Sequence, residues 1–207
     1  MAPLPSSDLP GHKQIKEKVD LALQTCQESQ DMEFTESQPW EILRWKVTRA
    51  VLAMGNLRDG GIIVIGVSQR HQKWSLRGVR KAHLDTFDFD IISDQVNEYV
   101  SPHVDLTVVL HRWEKKSFVV VAVKEFRHTP LVCKKGRESE KLVQGAVYIR
   151  PLGVPKTTRV MNAQEMHELL ELAAEKRSRE FLERAGRVGL YRPGSSGQEF
   201  SEELKGL

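Results

Sequence analysis

Three carboxylates lie close together near the start of the chain, in Glu28-Ser29-Gln30-Asp31-Met32-Glu33-Phe34-Thr35. Carboxylate oxygens are hard ligands, and a converging set can hold a divalent cation of the kind that serves phosphodiester cleavage. Met32 and Phe34 alternate with Asp31, Glu33 and Thr35, which predicts a short strand whose polar residues share the non-core face. Glu28 then falls in the loop entering that strand. On spacing alone, the same charges also suit the solubilising face of an edge strand.

A phosphate-facing surface is the second chemistry the residue types suggest. Between Arg44 and Lys81 the chain carries nine Lys and Arg against one acid, Asp59, whereas Asp85 to Glu98 carries five acids and no Lys or Arg. A split of this kind suits a face turned toward a polyanion, with ordinary solvated faces as the plainer alternative. Gly60-Gly61 invites a phosphate-loop interpretation that the order of elements rejects. A Walker loop needs Gly-Lys-Ser/Thr opening a helix, and a dinucleotide fingerprint needs its glycines after a strand; here they precede one. Cys26 and Cys133 are too few for a four-thiolate zinc site and suit reduced thiols. The N-terminus holds no long apolar segment, so neither a signal peptide nor a membrane span is expected, and a cytoplasmic protein is.

These groups need elements to position them. Residues 1–12, rich in Pro, Ser and Gly, suit a flexible arm. Lys13 to Gln27 reads as an amphipathic helix, and Trp40 to Met54 as a second one, with Leu43, Val47, Ala50, Val51 and Met54 on one face. Gly55 and Asn56 tolerate positive φ and so suit its end. Asp59-Gly60-Gly61 is a tight turn into the apolar, β-branched run Ile62 to Val67, as expected of a strand buried on both faces. Ser68 to Lys73 reads as a basic loop, Trp74 to Val79 as a short extended piece and Asp85 to Val100 as a helix. Val104 to His111 and Ser117 to Val123 are strands, Lys134 to Lys141 a mobile charged loop, Gly145 to Arg150 a last strand, and Pro151 to Arg159 a stiff basic loop. Asn162, with Glu165 at the capping-box position, opens a closing helix. The pattern predicts an α+β fold, a mixed β-sheet flanked by helices. One domain, 13–185, sits between the arm and a loose tail, 186–207.

Several separated segments together resemble the Schlafen AlbA-type (AlbA_2) domain family. The family opens with Glu-Ser-x-x-x-Glu-Phe-Lys, and Glu28-Ser29-Gln30-Asp31-Met32-Glu33-Phe34 matches up to the lysine, where Thr35 stands. Its helix ends Ala-x-x-Asn-x-x-Gly-Gly before a strand closing in Ile-Gly-Val; here Ala53 to Asn56 runs to Gly60-Gly61 with one extra turn residue, then Ile65-Gly66-Val67. Its late Tyr-x-Arg-x-Gly segment is similar to Tyr148-Ile149-Arg150-Pro151-Leu152-Gly153.

The resemblance implies nucleic-acid binding. In nuclease members it also implies a metal-dependent ribonuclease site, with Glu28 and Glu33 in the two glutamate positions as catalytic residues and ligands of Mg2+ or Mn2+. The third carboxylate of that site, just after Ile-Gly-Val, has no counterpart, since Ser68-Gln69-Arg70 follow. Binding needs only cations, and Arg58, Arg70, Lys73, Arg150, Lys156 and Arg159 all fall in loops or at strand ends where they could share one rim. Trp74 or Tyr148 could stack a base, and His71 could contact a phosphate. RNA, with transfer RNA or another structured RNA as a candidate, is expected over a specific DNA site, because no helix-turn-helix or other base-reading element is visible. The alternatives are a metal-dependent endoribonuclease and a protein-interaction module built on the closing helix. By analogy with two-lobed relatives, a single lobe suggests a homodimer.

Overall fold

The computed structural model describes residues 4–70, 73–153 and 155–189. In chain order the elements are α1 (Lys13–Thr25), β1 (Met32–Thr35), α2 (Trp40–Met54), β2 (Gly61–Ile65), β3 (Val67–Arg70), β4 (Lys73–Leu76), α3 (Lys81–Leu84), α4 (Phe89–Asn97), β5 (Val100–Ser101), β6 (Leu106–Trp113), β7 (Lys116–Val123), β8 (Val132–Cys133), β9 (Tyr148–Ile149), β10 (Thr158–Arg159) and α5 (Ala163–Arg187). The main sheet runs β1-β2-β7-β6, with β1 parallel to β2 and the remaining pairs antiparallel. It is a mixed sheet flanked by helices.

Alternation along the strands sorts the core into two layers. Ile63 and Ile65 of β2 and Val119, Val121 and Val123 of β7 face α2, α4 and part of α5. Ile62, Val64, Phe118 and Val120 point the other way and pack with Val19, Ala22 and Leu23 of α1. Both central strands are therefore covered on both sides, which is why they read as unbroken apolar runs. Met32 and Phe34 of β1 join the α1 layer, so Glu33 necessarily faces α2.

Two glycines of the turn region have steric reasons. Gly60 sits at φ +72, and a Cβ there would meet the Val123 carbonyl oxygen at 2.0 Å. Gly66, at φ +117, lets the chain leave β2 for β3 where a Cβ would lie 2.8 Å from the Gly78 carbonyl carbon. Asn56 differs from the expectation. It is buried and not at positive φ; its amide nitrogen donates to the Leu131 and Tyr148 carbonyls at 2.9 Å each, and its oxygen accepts the Leu131 N–H at 2.7 Å. It clasps the late segment to the end of α2 rather than capping the helix.

Other boundaries also moved. Of the basic loop expected over Ser68 to Lys73, the described residues Ser68, Gln69, Arg70 and Lys73 lie in strands, because β3 and β4 pair in register from Val67 with Leu76 to Arg70 with Lys73. The helix expected over Asp85 to Val100 is shorter, α4 alone, opened by Asp88, whose carboxylate accepts the Asp90 and Ile91 N–H groups; Val100 already belongs to β5, and the unexpected α3 ends before Asp85. Asn162 caps α5 as expected, accepting the Glu165 N–H at 2.9 Å. The last expected strand shortens to β9, and the basic loop expected over Pro151 to Arg159 ends in β10, which pairs back on it. The described part of the arm is tied down: the Leu110 N–H donates to the Pro5 carbonyl at 2.8 Å, and the Ser7 N–H to the Leu110 carbonyl at 3.1 Å. No helix among the described residues is long and apolar enough to cross a membrane. The tail from residue 190 lies outside the described residues, as do His71 and Val154.

Candidate functional site

The turn before β1 and the pairing of β1 with β2 bring both glutamates of the opening segment to one cleft of about 520 Å3, lined also by Glu36, Lys46, Arg49, Gln69, Trp74, Lys156 and Thr157. Glu28 reaches back over its own turn, and its Oε1 accepts the Phe34 N–H at 2.8 Å. Burial pushes the Glu28 carboxyl above the ordinary carboxylate range, and the Phe34 N–H offsets part of that. Glu33, on the α2 face of β1, meets two cations. Arg150 Nη1 donates to its Oε2 at 2.6 Å, and Lys46 Nζ lies 3.6 Å from Oε1.

Arg150 is the unusual member. Its side chain is 0% exposed, against 12% for Glu33. Nη2 also donates to the Ser29 carbonyl at 3.1 Å and to the Met32 carbonyl at 3.4 Å, while Nε is buried without a partner. A buried guanidinium is tolerated only when paired and hydrogen-bonded, and here the pair also fixes the turn that carries Glu28. Lys46 donates as well to the Thr35 hydroxyl, so α2 places an ammonium against the residue that stands where the family motif has lysine.

The structure distributes the remaining sequence candidates widely. Lys156 lines the cleft. Lys73 and Arg159 are exposed, on β4 and β10, and Arg70 ends β3. Arg58 is committed elsewhere, in a bidentate pair with Glu175 of α5 at 3.0 and 2.5 Å. That pairing holds the Glu175 carboxyl well below its usual range, to about 2. Arg150 is under the cleft rather than on a rim. Tyr148 cannot stack a base: it is 2% exposed, and its hydroxyl donates to the Lys141 carbonyl and accepts the Val143 N–H. Trp74 does border the cleft, edge-on to Phe34 with ring centroids 5.3 Å apart.

Lys46, Arg49, Glu36 and Gln69 were not singled out as site residues from sequence. The helical period of α2 was the available signal for Lys46 and Arg49. For Gln69 it was the period of β3, which turns Val67 and Gln69 to the cleft and buries Ser68.

A Mg2+ or Mn2+ ion does not fit this donor set. Arg150 and Lys46 engage Glu33, the Phe34 N–H engages Glu28, and an amide, Gln69, faces the cleft after Ile65-Gly66-Val67. Asp31 turns away to Lys18, at 3.6 Å, and Asp59 lies outside the cleft lining. No three acids, histidines or cysteines among the described residues converge on a metal position.

With this geometry in view, the chain matches the Schlafen AlbA_2 family over residues 28–154, more than half of its length. It belongs to the Schlafen AlbA_2 family. No curated protein matches it. Among solved structures it is similar to the DIP2311 protein from Corynebacterium diphtheriae, at 15% identity and TM-score 0.48, over 72% of this chain but 27% of that one. It is also similar to the N-terminal domain of an ATP-dependent DNA helicase RecG-related protein from Nitrosomonas europaea, at 17% identity and TM-score 0.44, over 72% of this chain and 94% of that one.

Proposed function

We propose that this domain binds nucleic acid, single-stranded RNA before duplex DNA, with the cleft beside Glu33 receiving the phosphodiester backbone. The observation that carries the proposal is the Arg150–Glu33 pair. A guanidinium buried beneath the cleft neutralises Glu33, so that Glu28 and Glu36, the remaining acids of the lining, are faced by Lys46, Arg49 and Lys156. Their contribution is counterion release, which is independent of sequence and weakens steeply with salt. Trp74 offers a flat apolar wall to a base, a contact worth ~1–3 kcal/mol. Only an unstacked base can reach it, and single strands and loops supply those without the cost of opening a duplex.

The test is fluorescence anisotropy of a labelled single-stranded RNA against wild type and the Lys46→Gln/Lys156→Gln variant, with duplex DNA in parallel. Each phosphate contact on a single strand contributes about 0.7 to the slope of log K against log salt, so the double variant should lose ~1.4. Wild-type binding to neither probe, or binding indifferent to salt, would overturn the proposal. Metal-dependent shortening of the RNA that Glu33→Gln abolishes would establish an endoribonuclease in its place.

A further inference from the structure

Beside the cleft, Trp45 of α2 gathers two arginines that are held by its ring instead of by carboxylates. The Arg44 guanidinium carbon lies 4.4 Å from the Trp45 ring centroid, and that of Arg137 lies 4.3 Å from the same ring. Tyr99 meets Trp45 edge-on, with centroids 5.1 Å apart, and Lys135 sits 6.0 Å from the Tyr99 ring. Among the described residues, neither Arg44 nor Arg137 forms a salt bridge. Glu98, an acid of this neighbourhood, is taken by Lys135 at 2.6 Å.

Two like charges gathered on one half-buried indole are poorly explained by packing alone, because one cation on the ring already supplies the cation–π attraction and a second adds repulsion. The chemistry of the guanidinium gives a better reason. Stacking uses its face and leaves the planar fork of N–H donors free at its edge, where it matches a phosphate bidentately. Arg44 has its Nε buried without a partner, so its terminal nitrogens are the ones available. Stacking also restricts both side chains beforehand, which lowers the ordering cost of binding.

The cluster is continuous with the cleft. Arg49 follows Trp45 by four residues, one helical turn or about 6 Å along α2. Arg49 lines the cleft and donates to the Glu140 carbonyl at 3.1 Å, tying the 134–141 segment to the helix. That segment carries Lys134, Lys135, Arg137 and Lys141 against Glu138 and Glu140.

We infer that a nucleic-acid strand bound in the cleft continues over Arg44, Trp45 and Arg137, where the two stacked guanidiniums hold further phosphates; this rests on the cleft binding nucleic acid as proposed above. The test is the salt dependence of affinity for a labelled 20-nucleotide and a 4-nucleotide single-stranded RNA, chosen on the order of a strand that overruns one site and one that does not. Wild type is compared with Arg44→Gln/Arg137→Gln, Arg44→Lys/Arg137→Lys and Arg137→Gln alone.

For the long RNA, the glutamine pair should lower the salt slope by ~1.4, so a fourfold rise in salt costs wild type about sevenfold more affinity than the variant. Arg137→Gln, on an exposed segment, should lower it by ~0.7 even if the pair fails to fold. The lysine pair should keep the slope, and the short RNA should not distinguish any of the proteins. A wild type that binds both RNAs, with the long-RNA slope unchanged in the glutamine variants, would overturn the extension and leave the cleft standing. A wild type that binds neither would overturn both.

Discussion

Replacing Arg150 by Met should unfold the molecule at much lower denaturant concentration. The substitution removes the 2.6 Å bond to Glu33 and the bonds to the Ser29 and Met32 carbonyls. It leaves a carboxylate only 12% exposed, with Lys46 at 3.6 Å as its sole remaining cation. Breaking a buried pair from one side costs ~3–5 kcal/mol, and the low end applies because Lys46 and some water still reach Glu33. At an m-value of about 2 kcal/mol/M, a loss of ~3 kcal/mol moves the urea midpoint down by about 1.5 M. Glu33→Gln leaves the opposite charge buried and should cost a comparable amount.

The double variant removes both charges together, so its loss should fall short of the two single losses combined by ~2 kcal/mol. Equilibrium urea unfolding of the four proteins measures all three quantities. An Arg150→Met cost below ~1 kcal/mol, or two costs that simply add, would refute the claim that these groups form one buried unit.

Asn56→Ala should cost ~3 kcal/mol in the same assay, since it strands the buried Leu131 N–H and weakens the hold on the late segment. Glu28→Gln keeps an acceptor for the Phe34 N–H but removes a charge that burial disfavours. A raised carboxyl pKa destabilises the fold only once pH passes the unfolded value near 4.3, so the variant should melt higher than wild type at pH 7 and gain less at pH 4; equal gains at both pH values would contradict this. His111 accepts or donates a hydrogen bond at the Ser7 hydroxyl, 2.9 Å away, and has Nε2 3.1 Å from Asp20 but off the line of a hydrogen bond. Burial pushes its pKa down against the pull of Asp20 and Asp8, with Lys16 adding to the push. The unfolded chain therefore takes up the proton first, and stability should fall as pH drops below about 6.5, a slope that His111→Gln should flatten.

The elements that position the cleft were legible where periodicity and end signals agreed. Pro39 before Trp40 and the apolar stripe to Met54 gave α2, and the alternation around Met32 and Phe34 gave β1. The same alternation placed Glu33 opposite Phe34, but it could not say that the face opposite Phe34 is covered. That depends on α2 lying over it. The β3–β4 hairpin was missed because its four-residue strands are too short to show a period beside so many charges. Arg150 was placed on a basic rim because its neighbours are Pro, Gly and Lys; its burial comes from Glu33, 117 residues away in the chain. Asn56 looked like a helix end for a similar reason, since its partners Leu131 and Tyr148 lie 75 and 92 residues on. Gly60 was legible as a turn, but the close approach of the Val123 carbonyl was not.

The most direct measurement is retention of labelled transfer RNA by the wild-type protein at about 50 and 200 mM salt, each with Mg2+ and with chelator, followed by sizing of the RNA. A cleft whose Glu33 carboxylate is satisfied by Arg150, with Lys46, Arg49 and Lys156 left to meet phosphates, predicts strong loss of binding at the higher salt, the same affinity with and without metal, and intact RNA. Salt-indifferent or absent binding would contradict the account, as would metal-dependent fragments that disappear in Glu33→Gln.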